Sequence, residues 1–222
     1  MMKKLFKWLF SNYPEDLKTI EDPSDKLAYN MKVTAKNRYN ASSRIEWEKK
    51  INFFTNIILS LGLIFIPLMQ NAEIEVPFKT SVLNMMQIFL AVSVLVFSII
   101  NSMANYEIRI EKLRECADGI RDLIREFRGI DKQSIELKDY TEKYNNIVKI
   151  CENHTPIDYI KTKFELRDNF KITGLRWVLL KIEYIFFRNI PFLASILLVI
   201  FELSFILEML DLINIYPEIL LK

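Results

Sequence analysis

Amide and hydroxyl side chains recur at helical spacing within one long apolar stretch of the sequence. Steps of three and four residues place the following polar residues on one helix face: Asn84, Gln87, Ser98, Asn101 and Asn105. Such groups cannot be left bare in hydrocarbon, so they must hydrogen-bond to another helix, to a copy of the chain, or to water. The spacing therefore predicts a polar stripe that either joins helices or lines a water-filled path.

A second polar edge lies in the preceding apolar stretch, where Asn52, Asn56 and Ser60 are followed by Gln70. Pairing this edge with the stripe inside one chain leaves no amide facing lipid, and each interhelical hydrogen bond contributes about 0.6 to 2 kcal/mol. The alternative turns the stripe toward identical chains, so that an assembly surrounds a polar axis. Two hairpinned spans cannot enclose a water path alone, so this alternative requires a homo-oligomer.

A basic face precedes the first apolar stretch and contains Lys36, Arg38 and Arg44 beside an aromatic side chain. These residues suit contact with anionic lipid headgroups, or with an anionic signal such as a nucleotide messenger. A specific anion site would need donors from a second helix, and three arginines are available if the helices on either side of the spans pair: Arg109, Arg114 and Arg121. No sequence-specific binding of nucleic acid is predicted.

Two single residues also carry candidate chemistry. Glu202 falls near the middle of a third apolar stretch, where a carboxylate costs about 2.5 to 3.5 kcal/mol and normally faces water or a partner. His154 could be a ligand or a pH sensor. Its neighbours favour a structural role, because Thr155 can cap a helix that begins at Pro156.

Composition limits the other classes of site. The 222 residues include two cysteines, one histidine and four glycines, and the formal net charge is +2. The two cysteines, Cys116 and Cys151, cannot build a disulfide framework or a four-ligand metal site, and we expect both to be reduced. No phosphate-cradling glycine loop or catalytic constellation is present, so we predict no enzyme activity, no metal and no cofactor.

The elements that position these residues are helices. A basic helix at 25–50 runs without a breaker into a charge-free first span at 51–69, and a second span follows at 82–103. Each span is long enough to cross a hydrocarbon core of about 30 Å. The third stretch, 190–213, is weaker because it contains three acids. We interpret it as a third membrane helix, with an interfacial or protein-buried helix as the alternative.

The predicted fold is all-α: a transmembrane hairpin extended into a cytosolic helical bundle. We expect the second span to continue into a helix at 105–128, followed by helices at 135–151 and 156–170. The helix at 105–128 carries an apolar heptad seam: Tyr106, Ile110, Leu113, Ala117, Ile120, Ile124 and Phe127. This seam serves either association between chains or packing against helix 25–50.

Three regions follow from these elements. Residues 1–23 form an N-terminal tail that suits either a short interfacial anchor or a docking segment. Residues 24–171 form the hairpin and its bundle, and residues 172–222 form the C-terminal hydrophobic region. Eleven lysines and arginines precede Ile51 and seventeen lie between the second and third apolar stretches, whereas the hairpin connection contains one. Because basic residues are retained inside, we expect a cytosolic N-terminus in the inner membrane of a bacterium.

Three segments in this order resemble a known family. They are VTAKNRYNASSRIE at 33–46, NYEIRIEKLRECADGIRD at 105–122 and ENHTPIDY at 152–159. The chain resembles the SLATT family, small bacterial two-span proteins proposed as membrane effectors of conflict and antiphage systems, and is most similar to the subfamily encoded beside reverse transcriptases.

The resemblance implies a membrane effector of abortive infection. A cytosolic partner, such as a reverse transcriptase or a nucleotide-signalling enzyme, would sense infection, and the effector would then oligomerise and breach the inner membrane. Membrane lipid and further copies of the chain are the other expected partners. The alternative is a non-conducting membrane scaffold that recruits the soluble partner.

Overall fold

A computed structural model describes residues 20–72, 75–130, 136–166, 169–170, 172, 174–217 and 220. Within these ranges the chain is helical and contains no β-strand, as the sequence predicts. The N-terminal residues 1–19, on which the interfacial tail was predicted, lie outside the described residues.

Seven α-helices joined by short connections make up most of the described residues. They are α1 Pro23–Asn71, α2 Thr80–Met103, α3 Tyr106–Gly129, α4 Leu137–Lys149, α5 Pro156–Glu165, α6 Gly174–Asn189 and α7 Leu193–Met209, with a 3-10 turn Ile190–Phe192 before α7. Helix α1 is continuous over 49 residues and includes Pro67. It therefore contains both the predicted helix 25–50 and the predicted first span.

The helices differ from the sequence prediction in two places. The second span does not continue unbroken into the next helix, because α2 ends at Met103 and Asn105 adopts a left-handed conformation with φ 48° before α3 begins. Asparagine tolerates this conformation better than most residues, and its side-chain Nδ2 donates to the Met103 carbonyl at 3.3 Å. Helix α6 is the second difference, because the sequence analysis placed no helix at these residues.

The chain divides into two compact units. The charged unit comprises Met1–Glu46 and Tyr106–Ile190, and the apolar unit comprises Trp47–Asn105 and Pro191–Lys222. Helix α1 contributes its first half to the charged unit and its second half to the apolar unit.

The charged unit has an apolar core between α1, α3 and α4. One cluster joins Leu27, Met31 and Ala35 of α1 to residues of α3, and includes Tyr140 of α4. A second cluster joins Ala41 and Ile45 to α3. The α3 residues in these clusters include four of the predicted seam: Ile110, Leu113, Ile120 and Phe127. The seam is thus occupied within the chain.

The apolar unit buries a core of its own between α1, α2 and α7. Leu59 and Ile66 of α1, Leu83 and Leu90 of α2, and Phe205 of α7 belong to one cluster. The outward faces of the same helices expose large apolar side chains: Phe53, Phe54, Leu61, Ile64, Leu68, Met85, Ile88, Val92, Leu95 and Ile99. Three helical stretches are long and apolar enough to cross a membrane: Pro23–Asn71, Thr80–Gly129 and Gly174–Met209. The chain is a membrane protein.

The third stretch begins and ends differently from the predicted 190–213. Pro191 lies in the 3-10 turn, and α7 starts after it at Leu193. At the other end, Asp211 has a positive φ of 57°. The buried Glu208 carboxylate accepts hydrogen bonds from the backbone N–H groups of Ile215, at 2.6 Å, and Tyr216. Glu208 thus holds a turn that ends the helix.

Candidate functional site

The polar stripe of α2 contacts the polar edge of α1 at two levels. At one level, Asn56 Nδ2 donates to Ser98 Oγ at 3.3 Å. At the other, Gln70 Nε2 donates to Asn84 Oδ1 at 3.4 Å, and Gln87 Nε2 donates to Gln70 Oε1 at 2.5 Å. Several predicted stripe residues therefore hydrogen-bond within one chain, as expected for two antiparallel helices whose amides avoid hydrocarbon.

Some polar atoms of the same region have no partner among the described residues. The side-chain oxygens of Asn56 and Asn101 are buried and accept no hydrogen bond. Ser60 Oγ donates along its own helix to the Asn56 carbonyl at 2.7 Å, and Asn52 is half-buried on α1. Asn105 follows the end of α2 and lies outside the helical stripe. Two amide oxygens thus retain capacity for a hydrogen bond from water or another chain.

Glu202 of α7 is buried against α1. It is 0% exposed, and neither carboxyl oxygen accepts a hydrogen bond from a side chain within the described residues. The carboxyl lies against Gly62, where a Cβ atom would overlap with Glu202 Oε1. A side chain larger than that of glycine at position 62 would therefore force the Glu202 carboxyl group to shift. This contact joins the third candidate span to the first.

The charged unit pairs two of the three predicted basic residues with carboxylates. Lys36 lies 3.2 Å from Glu165. Arg44 makes two contacts with Asp158, from Nε to Oδ1 at 3.0 Å and from NH2 to Oδ2 at 3.2 Å. Asp158 also accepts from the Thr155 N–H and hydroxyl in a capping box at the start of α5. Arg44 thereby connects α1 to α5.

Arg38 is the third basic residue, and it is 3% exposed. Its NH1 group donates to Asn153 Oδ1 at 2.9 Å and lies 3.4 Å from His154 Nδ1, while its Nε has no partner within the described ranges. Because arginine only donates, Nδ1 must accept and the neutral ring carries its proton on Nε2. The side-chain amide nitrogen of Asn37 lies 3.2 Å from Nε2. Turning this amide by 180° brings Oδ1 to the same place, where it accepts the hydrogen bond from Nε2–H.

This environment keeps His154 neutral. Burial lowers the pKa of its imidazole below the ordinary value of 6.5, and the Arg38 guanidinium lowers the pKa further. A second proton would also place an N–H group opposite the guanidinium. Thr155 caps α5 immediately afterwards, as predicted, so ENHTPIDY combines a turn into a helix with a buried polar contact to α1.

The arginines of α3 do not converge on an open anion site. Arg109 binds Glu152 at 3.0 Å, Arg114 binds Glu46 at 2.6 Å, and Arg121 binds Asp118 at 2.7 Å. Tyr39 donates to the same Asp118 carboxylate at 2.5 Å, and burial together with this hydrogen bond raises the pKa of Tyr39 to about 12. Each arginine thus has a nearby carboxylate.

The two cysteines are free thiols that lie near each other. Cys116 is buried and donates to the Ile147 carbonyl at 3.6 Å. Burial and a hydrogen bond with Cys151 raise the pKa of the Cys116 thiol to about 12. A thiol with so high a pKa is a poor nucleophile at neutral pH. The described part of the chain holds no cluster of acids, histidines and cysteines suited to a metal ion.

The sequence indicated the candidate site residues, but it did not indicate which side chains or backbone atoms contact them. Gly62 gave a signal, since it is the only glycine in the first span, but nothing local showed which side chain approaches it. Asp158 lies in the first turn of the helix predicted after Thr155, and its second role as the partner of Arg44 depends on a contact between residues 114 positions apart in the sequence.

Comparison with known protein families identifies the family of this chain. Residues 20–206 match the model of the SMODS and SLOG-associating 2TM effector domain family 5. The chain belongs to this family. As a member of SLATT family 5, it is a membrane effector domain, and the family is not one of known enzymes. No curated protein and no solved structure matches the chain significantly.

The match covers both units of the SLATT family 5 chain. It includes the two spans of the hairpin and most of α7, so the third candidate span is additional to the two spans that the family description names. The resemblance noted in the sequence is thus confirmed for the family. An association with reverse transcriptases belongs to the proposal below.

Proposed function

We propose that this protein is an effector of bacterial antiphage defence that permeabilises the inner membrane. The observation that carries the proposal is the apolar unit. It exposes large apolar side chains outward on α1 and α2 while burying the amide oxygens of Asn56 and Asn101 without a partner among the described residues. In an assembly of several copies, these oxygens can bind water along a polar path.

In this proposal, the hydrogen bonds between amides of α1 and α2 keep the polar path closed in the inactive protein. In a single chain, Gln70 contacts Asn84 and Gln87, and Asn56 contacts Ser98, so most of the stripe is closed by α1. Opening a path therefore requires the α1–α2 contacts to exchange for contacts with another copy or with water. Each such hydrogen bond contributes only about 0.6 to 2 kcal/mol, so a bound partner can supply the difference.

The charged unit is the part that receives the signal in this proposal. It lies in the cytosol together with the N-terminus, as the distribution of lysine and arginine favours. Its partner is a reverse transcriptase or a nucleotide-signalling enzyme encoded nearby. A neighbouring gene of either class would support this assignment, and an isolated housekeeping context would oppose it.

The direct experiment is controlled expression in bacterial cells with a membrane-potential dye, followed by dye release from liposomes containing the purified chain. We expect growth arrest with loss of potential. Replacing the unpaired amide, Asn101→Leu, should reduce the leak while the protein still inserts. The matched control is Ser93→Leu on the same helix, because Ser93 Oγ donates to the Phe89 carbonyl within α2 and lies off the stripe.

The scaffold alternative predicts a different outcome from the same experiment. A chain that only recruits a soluble partner would leave liposomes sealed and cells polarised, with or without the partner. If Asn101→Leu leaks as much dye as the unsubstituted chain, the polar stripe does not line the conducting path.

A further inference from the structure

Helix α6 carries an apolar face that no described residue covers. None of its residues is buried. Large apolar side chains recur along it at steps of three and four, between 44% and 59% exposed, and they form one stripe: Leu175, Val178, Leu179, Ile182, Ile185 and Phe186. An uncovered stripe of this kind belongs against an apolar phase or another apolar surface.

The opposite face of α6 packs within the charged unit. Phe164 of α5 contacts the rings of Trp177 and Tyr184, with centroid separations of 6.3 Å and 6.1 Å. Lys181 Nζ lies 4.7 Å from the Trp177 ring centroid, and the Arg188 guanidinium lies 5.8 Å from that of Tyr184. Trp and Tyr beside basic residues are typical of the interface between hydrocarbon and water.

The segment that follows α6 indicates which kind of surface faces its apolar stripe. Helix α6 ends at Asn189, and only the 3-10 turn Ile190–Phe192 separates it from α7, the apolar core of the third candidate span. The apolar helix of this candidate span thus begins within one turn of the end of α6. An amphipathic helix attached so closely to a span lies in the membrane interface, with its apolar face toward the acyl chains.

A small cavity lies beside the inner face of α6. Its volume is about 30 Å³, which is room for about two water-sized groups, and its lining is Asn40, Ser43, Arg44, Ile157, Asp158, Lys161, Tyr184 and Arg188. Three of these residues are cations and one is a carboxylate, so the lining carries a net charge of +2. Asp158 already accepts from Arg44 and Thr155, which leaves its charge largely neutralised.

Two residues of the cavity also lie close along the chain to the apolar stretches. Arg44 precedes Ile51, where the apolar stretch of α1 begins, by seven residues, or about 10 Å along a continuous helix. The headgroup layer extends about 5 to 8 Å beyond the hydrocarbon core, and an arginine side chain reaches the remaining distance. Arg188 lies in the last turn of α6, two residues before Ile190. Ile190 is the first residue of the 3-10 turn that leads into α7.

We propose that this cavity binds the phosphate of an anionic phospholipid, with the apolar face of α6 lying in the bilayer interface. Lys161 and Arg188 supply charge. The Tyr184 hydroxyl, which accepts from Arg188 NH1 at 3.3 Å, supplies a hydrogen-bond donor. The site is separate from the polar stripe of α2. It therefore stands whether or not the protein forms a conducting path.

The first test measures lipid binding to the detergent-solubilised full chain by native mass spectrometry, with phosphatidylglycerol and phosphatidylcholine as probes. We expect tighter binding of phosphatidylglycerol. The double variant Lys161→Ala/Arg188→Ala should weaken it by roughly thirtyfold, about fivefold for each basic residue. The matched control, Arg176→Ala/Lys181→Ala, removes the same charge from exposed positions of α6 outside the cavity and should retain the preference.

Two outcomes of this test would overturn the proposal. Equal losses in the cavity variant and the control would show diffuse attraction to surface charge. Displacement of phosphatidylglycerol by an equal concentration of inorganic phosphate would show a site for a free anion, because a lipid held also by its chains resists such competition.

The second test locates α6 without altering the cavity. Spin labels are attached at Leu179→Cys and, separately, at Arg176→Cys in the Cys116→Ser/Cys151→Ser background, with the chain reconstituted in phosphatidylglycerol-containing vesicles. Both positions are exposed. We expect the label at 179 to be relaxed mainly by oxygen and the label at 176 mainly by a water-soluble nickel complex. Equal access of the nickel complex to both labels contradicts an interfacial helix.

Discussion

Each of the two units contains a buried carboxyl group, and the surroundings of these two groups differ. In the charged unit, the Asp158 side chain is 2% exposed and is surrounded by the guanidinium of Arg44 and the capping donors of Thr155. In the apolar unit, Glu202 is 0% exposed and lies against the bare backbone of Gly62. One carboxyl group is held by complementary charge and the other by shape.

This difference reflects the solvent around each unit. The charged unit contains ion pairs that join distant parts of the sequence, including Arg44 with Asp158 and Arg109 with Glu152. The apolar unit joins its helices through neutral amides and hydroxyls, and its outward apolar side chains gain nothing from association with one another in lipid. Loss of a partner should therefore be most costly in the charged unit.

The largest expected effect is on the buried ion pair. Arg44→Met leaves the Asp158 carboxylate buried without its countercharge, and we expect the free energy of unfolding of the charged unit to fall by about 3 kcal/mol. The matched control is Arg114→Met, whose ion pair with Glu46 is 50% and 37% exposed and should contribute about 0.5 kcal/mol or less. Denaturant unfolding of the solubilised protein measures both. Equal effects would erase the contrast between buried and exposed pairs.

The next effect concerns the shape contact in the apolar unit. Gly62→Ala places a Cβ on the Glu202 carboxyl, and overpacking of this kind costs about 1 to 3 kcal/mol, reduced by up to about 1 kcal/mol because alanine favours helix. Thermal unfolding in detergent should show the loss. The same substitution in a Glu202→Ala background should cost nothing.

Gly129→Ala is the control for that substitution, because nothing lies within 4 Å of a Cβ at this position. It should leave the unfolding temperature unchanged or raise it slightly. A cost of Gly62→Ala that persists in the Glu202→Ala background would show that α7 is not held by the carboxyl group.

A smaller effect belongs to the amide contacts of the hairpin. A double-mutant cycle with Asn56→Ala and Ser98→Ala should give a coupling of about 0.6 kcal/mol, since unfolded helices in a membrane also find hydrogen-bond partners. Detergent unfolding of the four proteins supplies the coupling. A value near 3 kcal/mol, roughly that of a broken buried ion pair, would mean that neutral contacts in the apolar unit rival the ion pairs of the charged unit.

The smallest effect is the pH dependence from His154. Its pKa lies below 6.5 in the folded chain and at about 6.5 in the unfolded chain, so the unfolded state binds the proton first as pH falls. The free energy of unfolding of the charged unit should therefore decrease as pH falls through about 6.5 toward the folded pKa. His154→Gln should lack this component, and parallel profiles for the two proteins from about pH 7 to about pH 5 would contradict the assignment.

The positions of the helices were easier to predict from the sequence than the contacts between them. Charge-free runs located α1 and α2, and Thr155 with Pro156 located the start of α5, because these signals are local. The break at Asn105 was missed because the polar and apolar periodicity continues across it. Helix α6 was missed because its apolar side chains merge with the third apolar stretch, which hides the turn at Pro191.

Periodicity predicted the faces of the stripe but not the atoms that meet. Which amide of α2 contacts Gln70 depends on the register between two helices, and the approach of Glu202 to Gly62 depends on the packing of residues far apart in the sequence. Register and packing of distant helices are set by the whole core, so spacing along one helix does not encode them.

The central claim is that the hairpin crosses a bilayer and leaves the charged unit on one side of it. Its most direct test is labelling with a membrane-impermeant maleimide in intact bacterial cells, using Glu75→Cys or Glu142→Cys in the Cys116→Ser/Cys151→Ser background; both positions are exposed. We predict that the thiol introduced at position 75 reacts from outside and that the thiol introduced at position 142 reacts only after permeabilisation. Equal reaction of both thiols in intact cells, or protection of both until lysis, would contradict the claim.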